Sequence, residues 1–111
     1  MGKVKDQENI QQLQLLEQSL SSLVSQKQGF QVQLNEVENA LKEIQGKQVA
    51  YKIVGGLMIE KKREDIEEEL NSKKKILEVR ISSLEKQEEK LGTKKEELQK
   101  QVVEAMNSQN E

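Results

Sequence analysis

Apolar residues recur in this chain every three or four positions, and that spacing limits its possible folds more than any other feature. In the first half the series runs Leu13, Leu16, Leu20, Leu23, Lys27, Phe30, Leu34, Val37, Leu41, Ile44, broken only by Lys27. Steps averaging about 3.5 residues hold one stripe on one side of a helix, the signature of a coiled-coil seam. The second half carries Leu70, Leu77, Leu84, Leu91 and Leu98 at strict heptad spacing. Four residues beyond each leucine stand Lys74, Ile81, Glu88, Lys95 and Val102, so the alternate layer of this seam is apolar only at Ile81 and Val102. The second helix is therefore expected to pack less tightly along its length than the first.

Composition decides between helices sharing a narrow seam and a packed globule. The 111 residues include one Phe, one Tyr and no Trp, too few large side chains for a globular core of that size. Leu, Glu, Lys and Gln dominate, and there is no Pro to interrupt a helix. So polar a chain would otherwise be read as disordered, but disordered segments lack apolar periodicity. The net charge of −2 builds no field that would attract nucleic acid. The absence of Cys and His removes disulfides, thiolates and the commonest general base and metal ligand. No phosphate-cradling loop is present either. No catalytic, cofactor-binding or metal residues are expected, and the chain does not read as an enzyme. No apolar run reaches the roughly 20 residues of a membrane span. The segment Met1–Asp6 lacks a signal-peptide core. A soluble, cytoplasmic protein without a membrane partner is the expectation.

The expected architecture is mainly α: one domain over residues 1–111, with helices at 6–46 and 62–107 forming an antiparallel coiled coil around a β-hairpin at 48–60. Asp6 is an acceptable N-cap for the first helix, and Gly46 suits a left-handed position at its end. Between the helices lies the one stretch rich in β-branched and aromatic residues, Gln48–Glu60. Val49, Tyr51 and Ile53 alternate on one face, and Leu57 and Ile59 alternate after the turn, with Val54 just before the Gly55-Gly56 pair and Met58 between Leu57 and Ile59. The favoured two-residue hairpin turn needs positive φ at both central positions, which two glycines supply. The plainer alternative is a helix running through, but two adjacent glycines would cost it about 2 kcal/mol relative to alanine. Reflection about the Gly55–Gly56 bond supports a fold-back. It sets Leu13 against Leu98, Leu20 against Leu91, Leu34 against Leu77 and Leu41 against Leu70, with Lys27 facing Leu84.

A two-stranded hairpin is marginal alone in water, and its open edges invite other strands. The residues Val49, Tyr51, Ile53, Val54, Gly55, Gly56, Leu57, Met58 and Ile59 thus read as an assembly element that completes its sheet with hairpins of other subunits. The plainer reading is a decorated loop capping two helices. At the opposite end of the helices lie Val4, Ile10, Leu13, Leu15, Leu16, Val102, Val103 and Met106. Leu15 and Val103 fall off the seams and are candidates for exposure. Leu, Val and adaptable Met on helix ends suit weak binding of many unfolded segments, although Leu13, Leu16 and Val102 fit the seams better than they fit a dedicated client surface. The charge runs Lys61-Lys62-Arg63, Glu67-Glu68-Glu69 and Lys73-Lys74-Lys75 alternate in sign, as on a solvated coiled-coil surface.

A long helix, then Ala50-Tyr-Lys-Ile-Val-Gly-Gly-Leu-Met-Ile-Glu60, then the charged helix start Lys61-Lys-Arg-Glu-Asp65, resembles the β-class prefoldin subunits. Tyr51, Lys52, Val54, Gly55, Leu57 and Ile59 match the pattern of that class, which carries one hairpin where the α class carries two. The resemblance implies a hexamer of two α-class and four β-class subunits whose hairpins build a β-barrel hub. It also implies a chaperone that uses no nucleotide, holds unfolded client proteins between coiled-coil tips and passes them to a group II chaperonin. The rival reading is a structural coiled-coil scaffold or tether. It accounts for the heptads but not for the β segment around the two glycines.

Overall fold

The computed structural model describes residues 2–109, with side chains described for 7–107. The order of elements is α1 (Gly2–Glu43), β1 (Val49–Val54), β2 (Leu57–Lys62) and α2 (Arg63–Gln109). Helix α1 starts before Asp6, so that residue lies within the helix and does not cap it. Nothing between Gly2 and Asp6 breaks a helix, and a cap residue with helix formers on both sides has no boundary to mark.

Helix α1 ends through a tightening turn. Ile44 N donates to Ala40 O at 3.1 Å, the last bond of helical span, and Gln45 N to Lys42 O and Lys47 N to Ile44 O then close shorter turns. Gly46 adopts φ +75°, the left-handed conformation that a side chain would oppose. After Gln48 the chain enters β1. The strands pair antiparallel from Val49↔Lys62 to Val54↔Leu57, leaving Gly55 and Gly56 alone in the turn. Gln48 O accepts from Arg63 N at 3.2 Å and carries the pairing to the base of the hairpin. Lys61 and Lys62, expected at the start of the second helix, therefore belong to β2. Backbone pairing with Ala50 and Val49 holds them extended, overriding their own helical preference. Helix α2 opens with Glu64 and Asp65 in its first turn, where the helix dipole favours acidic side chains. An Arg63–Glu67 ion pair of 2.7 Å lies one turn along.

The chain divides into two compact units. In the unit Gln28–Ser82, Leu34, Val37, Leu77 and Ile81 form a buried cluster, with Phe30, Leu41 and Leu70 packed on it. The order of these residues makes the two helices antiparallel here, and leucines matched by reflection share the cluster. The Arg80 guanidinium lies 5.5 Å from the centroid of the Phe30 ring, a cation–π contact that shields an otherwise half-exposed aromatic. In the unit containing the rest of both helices, Leu23 and Leu84 are buried. Beyond them Leu13, Leu16, Leu20, Leu91, Leu98 and Val102 are only half-buried. The seam of α2 thus loosens after Leu84, where Glu88 and Lys95 replace apolar residues.

Candidate assembly hairpin and helix-end surface

Gly55 and Gly56 have φ +55° and +78°, so both central positions of the turn are left-handed, as a two-residue hairpin demands. Residues directly opposite in an antiparallel pair share a face. The register therefore puts Val49, Tyr51, Ile53 and Met58 on one side of the hairpin, together with Glu60 and Lys62. Ala50, Val54, Leu57 and Ile59 lie on the other, together with Lys52 and Lys61. The alternation before the turn and the alternation after it thus fall on opposite faces, and the hairpin is apolar on both. The signal was present in the sequence: a two-residue turn at Gly55-Gly56 forces Val54 opposite Leu57, which moves Ile59 to the face away from Tyr51.

The face that carries Lys52 and Lys61 is tied to α2. Lys52 Nζ donates to Glu69 Oε1 at 3.1 Å and stands 3.0 Å from Oε2, while Lys61 Nζ lies 3.9 Å from Oε1. The hydrogen bond from Lys52, aided by the charges of both lysines, holds the Glu69 carboxyl below its ordinary value. These groups are solvated, so the pairs orient the hairpin more than they stabilise it. Val49, Tyr51, Ile53, Val54, Leu57, Met58 and Ile59 remain 40–71% exposed. A sheet of two strands also leaves an unpaired backbone edge on each. Side chains of this size favour burial by about 1.5–3 kcal/mol each, and within this chain the hairpin has too little surface to satisfy them.

In the first part of α1 and the last part of α2, the residues separate into two sets. Leu15, Val103 and Met106 are 61%, 55% and 59% exposed, and Ile10 is exposed as well. Leu13, Leu16 and Val102 are half-buried in the seam. The side chain of Val4 lies outside the described residues. Leu15, Leu16 and Leu98 line an open groove of about 420 Å³, together with Gln12, Ser19, Lys94, Glu97 and Gln101. Its lining mixes apolar surface with uncharged donors and acceptors and one charge of each sign, Lys94 and Glu97.

Among the described residues, three ion pairs join the two helices. The polar seam positions of α2, Lys74, Glu88 and Lys95, each meet an opposite charge on α1. Lys74 stands 3.9 Å from Glu38, Glu88 stands 3.0 Å from Lys27, and Lys95 stands 3.7 Å from Glu17. Lys27 does not stop at Leu84 as simple reflection suggests. Its flexible stem carries the ammonium one turn further to the carboxylate, which spares a half-buried charge from facing an apolar wall. Glu88 Oε2 accepts the hydrogen bond at 3.3 Å, whereas the nearer Oε1 is out of line and makes an ionic contact only. The legible signal was that the one charged break in the first seam is opposite in sign to a nearby break in the second.

Comparison with known proteins agrees with this geometry. A family model described as prefoldin subunit matches residues 7–109. The prefoldin β subunit of Archaeoglobus fulgidus is 35% identical over 103 residues, covering 90% of this chain and 89% of that one. The prefoldin β subunit of Thermococcus kodakarensis is 40% identical over 98 residues, covering 86% and 84%. The crystal structure of the prefoldin β subunit from Thermococcus strain KS-1 superposes with a TM-score of 0.86 at 38% identity, covering 91% of each chain.

Proposed function

Because the chain belongs to the prefoldin subunit family and matches its β subunits along most of its length, we propose that it is a subunit of an ATP-independent holdase. The chaperone binds non-native proteins through the ends of its helices, prevents their aggregation and delivers them to a group II chaperonin. Its partners are an α-class subunit and further β subunits, two α and four β in a hexamer, joined through the hairpins in the cytoplasm. The observation that carries this reading is a hairpin apolar on both faces and open at both edges, together with exposed Ile10 and Leu15 in the first part of α1 and exposed Val103 and Met106 in the last part of α2. Strand addition at the hairpin supplies the assembly. Several weakly binding helix ends in one complex then supply avidity for clients of no fixed shape. No helix among the described residues is long and apolar enough to cross a membrane.

The test is light scattering from a chemically denatured client diluted into nucleotide-free buffer, with and without the chain assembled with its α-class partner. Suppression at near-stoichiometric amounts, lost on removing residues 1–12 and 102–111, is the expected result. Unchanged aggregation in the presence of a well-formed complex would instead make the protein a structural scaffold, with the hairpin as an assembly joint alone.

A further inference from the structure

Helix α2 carries leucine at five consecutive heptads, Leu70 to Leu98. That pattern does not by itself select a partner. It serves equally for α1 of the same chain, for α1 displaced by a heptad, or for α2 of a second copy in a parallel two-stranded zipper. The alternate layer of the same seam is not degenerate, because it reads Lys74, Ile81, Glu88, Lys95, Val102. In the structure each of its three charged residues meets an opposite charge on α1: Glu38, Lys27 and Glu17 respectively. We propose that Lys74, Glu88 and Lys95 are the residues that select α1 of the same chain as the partner of α2, in a single register.

The competing pairings fail on charge. Moving α2 by one heptad in one direction sets Glu17 against Glu88 and Glu38 against Glu67. Moving it in the other sets Lys27 against Lys95 and leaves Glu38 against Ile81. A parallel pair of α2 helices from two copies stacks Lys74 on Lys74, Glu88 on Glu88 and Lys95 on Lys95. Each arrangement puts like charges, or a charge and an apolar wall, side by side in a partly desolvated seam. The native pairs at 3.7 and 3.9 Å are too solvated to contribute much attraction. What they supply is discrimination, since the repulsion in the wrong pairings matters more than the attraction in the right one. The Lys27–Glu88 pair is the most enclosed of the three, its side chains 28% and 22% exposed, and it carries the largest share.

The chain contains no cysteine, so introduced thiols report pairing without interference. Ser19→Cys with Lys94→Cys places two thiols on the lining of one groove and reads the native register as a cross-link within one chain. Gln87→Cys alone, on the flank of the seam, reads parallel association of α2 between copies through a flexible bis-maleimide, because flanking positions of a parallel pair lie too far apart for a direct disulfide. Both are placed in the full-length chain carrying Lys74→Ile, Glu88→Ile and Lys95→Ile. That variant gains apolar surface at three seam positions but strands Lys27 without its carboxylate, so it is expected to stay helical with a melting temperature near the parent's. Its intrachain cross-link is nevertheless expected to fall at least twofold, with a Gln87→Cys cross-link between copies gained. Glu88→Lys, expected to lower the melting temperature by about 5 °C, should be restored by adding Lys27→Glu. The proposal is overturned if the apolar triple variant keeps the full intrachain yield and forms no cross-link between copies. It is equally overturned if the reversed pair fails to recover the melting temperature.

Discussion

Leu77 and Val79 stand two residues apart on α2 and have opposite fates. Leu77 is 3% exposed within the cluster of Leu34, Val37 and Ile81, while Val79 is exposed. Leu77→Ala is expected to cost about 2–5 kcal/mol, because it removes transfer free energy and leaves a cavity that fixed neighbours fill only in part. Val79→Ala should stay within about 0.5 kcal/mol. Urea unfolding followed by helical circular dichroism measures both, and a small effect at Leu77 would mean that the seam re-forms around the gap. Which of the two is buried was readable from the heptad alone. That Lys27 lies half-buried against Glu88 was not, because periodicity marks a charged seam position only as an exception and leaves its partner to the register.

The hairpin depends on two backbone conformations more than on any side chain. Both turn glycines are left-handed, and no other atoms stand within 4 Å of where a side chain would begin, so backbone strain alone decides a substitution there. Gly56→Val is expected to cost about 1–2 kcal/mol from its positive φ, with a further penalty for a β-branched residue. In a two-stranded element that is marginal to begin with, this is enough to open the strands. Amide hydrogen exchange at Val49–Val54 should quicken markedly while the amides around Leu34 and Leu77 keep their protection. The turn, the strand pair and the heptads were all legible as local signals. The ends of the elements were not: β2 runs on through Lys61 and Lys62 because pairing with β1 continues to the base of the hairpin, a long-range effect that neighbouring residues do not announce.

For the molecule as a whole, the exposed apolar hairpin makes assembly the natural completion of the fold. Replacing Val54 with Asp and Ile59 with Lys puts charge on one face of the hairpin without touching the helical core. Size-exclusion chromatography with the partner subunit should then show loss of the large complex, while circular dichroism reports nearly unchanged helix content. Retention of the complex would rule out the hairpin as the joint. The sequence by itself determined the helices, the turn and the fold-back, because each rests on periodicity or backbone preference among residues close in the chain. Only the tertiary structure decided that the hairpin is apolar on both faces and that Glu69 tethers it through Lys52. It also decided that the three charged positions of the second seam each meet an opposite charge. Those facts depend on the offset between segments tens of residues apart, which is fixed when strands and helices pair and not before.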